Sequence, residues 1–109
     1  MDCIPSHGNV ADGQPVDAVD MIAALTSSQF VFSDGATQTF TAEGRTTYVD
    51  RGLSSAGEWS VVDDGTFASF WPPTYRATYM VQWIVEAGVP VGVSFTDTRS
   101  GVRYNGRYR

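Results

Sequence analysis

Residues 75–97 read YRATYMVQWIVEAGVPVGVSFTD, and the way this stretch folds back on itself decides the architecture. Its large apolar residues recur at every second position, the period of a strand with one buried face, and Gly88 stands where a turn is due. A three-residue loop, Glu86-Ala87-Gly88, would end on the residue type that takes a left-handed backbone at least cost. It sets Val85 opposite Val89, Trp83 opposite Val91, Val81 opposite Val93 and Tyr79 opposite Phe95. The large side chains then share one face. A two-residue loop would scatter them over both, so the three-residue loop is expected.

The same construction extends in both directions. Ala42-Glu43-Gly44 gathers Gln38, Phe40, Thr46 and Tyr48 on one face and leaves Thr37, Thr39 and Thr41 outside. Asp63-Asp64-Gly65 gathers Trp59, Val61, Phe67, Ser69 and Trp71. A four-residue connection, 98–101, brings Phe95 opposite Tyr104 and Val91 opposite Tyr108. The expected strands are 29–33, 36–41, 45–50, 58–62, 66–71, 75–85, 89–97 and 102–108, and such short links make sequence neighbours antiparallel.

Ahead of the strands the apolar period changes to that of a helix, with Pro15 at its first position, Asp17 and Asp20 near its N-terminus, and an end near 26–28. Ala18, Val19, Met21, Ile22, Leu25 and Thr26 form its apolar face. Residues 1–14, with Pro5, Gly8 and Gly13, read as a flexible leader, leaving 15–109 as one domain. Cys3 and His7 lie in that leader, too few ligands for a metal site. The fold class expected is α+β, mostly β: an N-terminal helix and an antiparallel meander of about eight strands, as a curled sheet or a small barrel.

Composition removes several functions. With 7 basic residues, all arginine, against 12 acidic ones, the net charge of −5 argues against binding nucleic-acid phosphates. The absence of lysine excludes Schiff-base and P-loop chemistry, and the single cysteine excludes an internal disulfide framework. The single histidine, in the leader, leaves no Ser-His-Asp or Cys-His arrangement in the folded body. Glu58 points outward in this register, so no catalytic residue, cofactor or metal is expected. No apolar run is long enough to span a membrane and no secretory signal opens the chain, so a cytoplasmic protein is expected.

The inner face carries Phe40, Tyr48, Trp59, Phe67, Trp71, Tyr79, Trp83, Phe95, Tyr104 and Tyr108. These rings either fill a solid core or wall a cavity for one small ligand. In the cavity reading Tyr48, Trp59, Trp71, Tyr79, Trp83, Phe95 and Tyr104 bind a small apolar or aromatic molecule, with Arg76 or Arg45 at the rim. A second reading is an interaction protein with a solid aromatic core, forming a homodimer through Met80, Ile84, Val62 and Phe70 on the sheet exterior. A third is an enzyme of cyclase or isomerase type that encloses its substrate and supplies one acid or base. Arg103, Arg107 and Arg109 on the outer side of the last strand would meet an acidic partner or keep that edge solvated.

Gly57-Glu58-Trp59, the leading helix, the meander and the late arginines resemble the calycin superfamily, which includes lipocalins and fatty-acid-binding proteins. The order Asp34-Gly35, Gly44 and Gly57 to Phe67 is similar to that of small bacterial lipocalin-like domains of unknown function. The resemblance implies a β-barrel with an apolar pocket and transfers no catalytic residue. In lipocalins the Gly-x-Trp motif belongs to the first strand, whereas here it falls on about the fourth. In size and lack of motifs the chain also resembles orphan proteins of bacterial mobile gene cassettes.

Overall fold

A computed structural model of the chain describes residues 10–62 and 65–109. Among these residues one helix, α1 (Ala18–Thr26), precedes eight strands: β1 (Phe30–Phe32), β2 (Thr37–Phe40), β3 (Arg45–Asp50), β4 (Leu53–Val61), β5 (Phe67–Trp71), β6 (Tyr75–Glu86), β7 (Val89–Asp97) and β8 (Arg103–Tyr108). Each strand pairs antiparallel with the next, and β1 also pairs with β8, Phe30 opposite Tyr108 and Phe32 opposite Gly106. The sheet is therefore a closed up-and-down barrel, which leaves no free sheet edge between β1 and β8.

Register follows expectation at three of the four links considered above. Gln38 lies opposite Tyr48 and Phe40 opposite Thr46 across a turn ending at Gly44, whose φ is 91°. Trp59 lies opposite Ser69 and Val61 opposite Phe67, although Asp63 and Asp64 of that turn lie outside the described residues. Phe95 lies opposite Tyr104. The β6–β7 hairpin differs. Glu86 pairs with Val89 across a two-residue turn in which Ala87 and Gly88 have φ of 51° and 78°.

One extra residue, Val91, then intervenes between the pairs Val85–Pro90 and Ile84–Gly92. The shorter turn and the bulge together move the partners by two positions, so Trp83 faces Val93, Val81 faces Phe95 and Tyr79 faces Asp97. Beyond the bulge this even shift leaves side chains on their expected faces, whereas Val89, between turn and bulge, lies opposite Glu86 and is exposed instead of facing inward opposite Val85. β4 begins at Leu53, five residues before the expected 58, because Arg51 and Gly52 form a two-residue turn with φ of 54° and 79°. The exposed run Leu53–Ala56 is held as strand by pairing with β3 rather than by an apolar pattern of its own.

The helix starts later than expected. Pro15 bridges to Gln82 instead of opening it, and Asp17 is the N-cap. Met21, Ala24 and Leu25 are buried, while Val19 is 91% exposed and Ile22 is exposed as well. The apolar stripe is thus narrower than the six residues expected for it, and it includes Ala24, which is not among them. These three side chains join Phe30, Phe40, Trp59, Trp83 and Val93 in a single core, and Tyr108 Oη donates to the Ala24 carbonyl at 2.7 Å. The helix enters β1 from the end where the β2–β3 and β6–β7 turns lie, and it plugs the barrel there.

Part of the expected leader is tied down. β5 accompanies β6 only as far as Tyr79, and residues 13–16 take over alongside the rest. Gly13 N–H donates to the Trp83 carbonyl, Trp83 N–H to Gln14 O, and Val16 N–H to Val81 O, at 2.8–2.9 Å. Pro15 fits this position because the bonds on either side of it need no N–H from Pro15 itself. Gln82 Nε2 donates to the Gly13 carbonyl and Val85 N–H to Asp12 Oδ1. Cys3 and His7 lie outside the described residues.

Candidate ligand-binding cavity

Phe40 sits at the centre of the barrel, edge-on to Phe30, Trp59 and Phe67 and stacked on Phe95 with centroids 6.1 Å apart. On the helix side of this layer the interior is filled. On the other side lies an open cavity of about 490 Å³, with Phe40, Phe67 and Phe95 as its floor. Tyr48, Trp71, Tyr79 and Tyr104 form the walls, and the mouth is bounded by Phe32, Ser33, Asp34, Arg103 and Asn105. Tyr48 meets Trp71 and Tyr79 meets Tyr104 at 6.5 Å between centroids, both edge to face.

Glycine makes room for one wall. A Cβ on Gly57 would lie 2.5 Å from the Trp71 ring and 2.8 Å from the Phe70 carbonyl oxygen. The Trp71 indole therefore lies flush against bare β4 backbone. The Gly-x-Trp motif has a second role at Trp59, whose Nε1 donates to the Thr41 carbonyl at 3.0 Å and whose N–H donates to Gly44 O.

Of the eight side chains expected to bind a ligand, Tyr48, Trp71, Tyr79, Phe95 and Tyr104 line the cavity. Three do not. Trp83 is 1% exposed in the filled half, because alternation reports which face a residue takes and not its depth along the barrel. Trp59 is inward but lies below the cavity in the core. Arg76 is on the outer face, its guanidinium 4.2 Å from the Phe70 ring centroid. Arg45 does not line the cavity either.

The cavity also takes polar residues that the aromatic pattern does not single out. Ser69 and Gln38 lie on inward faces of β5 and β2, and their alternation with large rings in each hairpin was a usable signal. Gln38 Nε2 donates to Thr46 Oγ1 at 2.9 Å, and Thr46 Oγ1 donates in turn to the Thr39 carbonyl. Ser69 Oγ is buried and has no hydrogen-bond partner among the described residues. The carboxylate at the cavity is Asp34, exposed at the mouth, with Oδ1 accepting from Ala36 N–H at 3.0 Å.

Burial, reinforced by Tyr75, Asp97 and Tyr104, pushes the Tyr79 phenol up to about 12. Tyr48 is also raised, by burial first and then by Asp34 and Asp50. These phenols remain neutral hydrogen-bonding groups on a largely apolar wall. The outer arginines behave differently: Arg107 forms two bonds of 2.7–2.8 Å to Glu86, and Arg109 Nη1 donates to Gln29 Oε1. Among the described residues no His/Cys/Asp/Glu cluster could hold a metal, and no helix is long and apolar enough to cross a membrane. No protein-family model matches the chain, and no curated protein and no solved structure matches it.

Proposed function

We propose that this protein binds one small, mostly apolar or aromatic molecule in the open half of a lipocalin-like barrel. The observation that carries the reading is the division of the interior, packed solid beside the helix and hollow above Phe40, Phe67 and Phe95. A volume of about 490 Å³ falls within the roughly 300–1,000 Å³ of small-molecule sites, and aromatic walls with a few polar groups are the usual lining. Burial of ring surface supplies the affinity, and the phenols and amides at the wall set orientation. The Gly57-Glu58-Trp59 motif and the barrel meander support the calycin-type resemblance.

Titration of intrinsic tryptophan fluorescence with a panel of one- to three-ring aromatic compounds tests this. Saturable quenching at one site per chain, lost when Trp71 is replaced by Leu with the fold retained, is the expected result. A panel without any saturable member, together with calorimetry showing no heat of binding, would falsify the reading. The homodimer reading draws on exposed Met80 and Val62 on the outer face. Light scattering separates it, since a monomer that binds the aromatic probe needs no such face.

A further inference from the structure

The polar groups inside the cavity narrow the chemistry of its occupant. The Thr39 carbonyl can only accept, so the Thr46 hydroxyl must donate to it and keep a lone pair for Gln38. This fixes the Gln38 amide with its nitrogen toward Thr46, and leaves Oε1 as an acceptor with no other side-chain bond among the described residues. On β5, Ser69 is 7% exposed, faces inward opposite Trp59 and Ala77, and its Oγ has no partner among the described residues. A hydroxyl can either accept from or donate to a group brought by the occupant, whereas Gln38 Oε1 can only accept, so a ligand donor is the group that suits both. Charge is confined to the mouth: Asp34 and Arg103 are the charged lining residues, and both are exposed. No cation lies deep enough to receive a buried carboxylate.

We propose that the occupant is a neutral aromatic molecule that enters with a hydrogen-bond donor leading, a phenolic hydroxyl or an aromatic N–H, taken up by Ser69 Oγ with Gln38 Oε1 as a second acceptor. This rests on reading the cavity as an aromatic-ligand site and adds the polarity and direction of the ligand. Fatty-acid-like carboxylates entering head first are thereby disfavoured, whereas phenols and N–H heteroaromatics fit. A charged substituent, if present, stays at the mouth beside Asp34 or Arg103.

The test uses three probes of one shape, naphthalene, 2-naphthol and 2-naphthoate, measured by calorimetry and tryptophan quenching on the full chain. The intact protein binds 2-naphthol about tenfold more tightly than 2-naphthoate, the size expected for one well-placed hydrogen bond against an unpaired buried charge. Ser69→Ala removes a group that has no partner, so the fold is kept. It weakens 2-naphthol about tenfold and leaves naphthalene within about twofold. Gln38→Met gives the same selective loss by an independent route. Equal losses for naphthol and naphthalene, no loss in either variant, or preferred binding of 2-naphthoate overturns the proposal while the aromatic-site reading stands. If none of the three probes binds, the aromatic-site reading itself fails, and this inference with it.

Discussion

At the scale of single residues, two side-chain environments in the barrel have measurable consequences. Gly57 is the first, because the Trp71 ring already occupies the space a methyl group would need. Gly57→Ala must push the indole inward or the Phe70 backbone outward, a form of overpacking that costs about 1–3 kcal/mol. Urea denaturation should show a lower midpoint with an unchanged slope, and the wall displacement should weaken aromatic probes. Tyr79 is the second. Its folded-state pKa of about 12 lies above the ordinary 10, so the fold favours the protonated phenol. That contribution is fully present below pH 10 and is lost as pH rises from there through 12. Tyr79→Phe should remove the latest component of the phenolate absorbance titration and flatten the loss of stability over the same interval. A late component that survives the substitution would assign the high pKa elsewhere.

At the scale of elements, the β6–β7 hairpin explains how a faulty turn assignment can still yield the right faces. The strand period constrains only parity, and a two-residue turn plus one bulged residue has the same parity as a register two positions away. Depth along the barrel is not encoded by that period, which is why Trp83 was read into the site. Gln38 and Ser69 were legible as inward-facing and were passed over because the site was assigned by its rings. The early start of β4 carries little apolar alternation and is imposed by the neighbouring strand. Likewise, the polar and glycine-bearing composition of residues 10–14 conceals a strap, since its bonds to β6 are made mainly by backbone, with Asp12 Oδ1 the one side-chain acceptor it presents to that strand among the described residues. Removal of residues 1–14 should break the bonds at Trp83 N and Trp83 O, costing about 1–3 kcal/mol and accelerating hydrogen exchange at the Trp83 amide. Exchange there that is unaffected by the deletion would mean the strap contributes nothing. The β7–β8 pair depends on a closer contact, because a Cβ on Gly92 would lie 2.0 Å from the Gly106 carbonyl oxygen. With backbone on both sides of the clash, Gly92→Ala should cost more than about 3 kcal/mol and open the barrel at that seam, read as lost thermal cooperativity.

At the scale of the molecule, closure of β1 onto β8 and the plug of α1 divide the barrel into a stabilising half and a receptive half. Phe40 and Phe95 lie between them, packed below and forming a floor above. Such a division lets burial at one end offset the unfilled volume at the other, because the cavity lining forfeits contacts that a solid core would supply. It also implies that stability and binding respond to substitutions at opposite ends. Leu25, fully buried on the inner face of α1, lines no part of the cavity. Leu25→Ala should cost about 2–5 kcal/mol in unfolding free energy, a large share of the roughly 5–15 kcal/mol available to a domain of this kind. Its affinity for an aromatic probe, measured well below the lowered melting temperature, should stay within about threefold. Tyr104→Ala at the exposed wall should do the reverse, weakening the probe about tenfold with little change in melting, since this ring is already half open to solvent. Were Leu25→Ala to abolish binding while the chain is still folded, the floor of rings would be transmitting the helix's packing to the cavity, and the barrel would act as one unit instead of two.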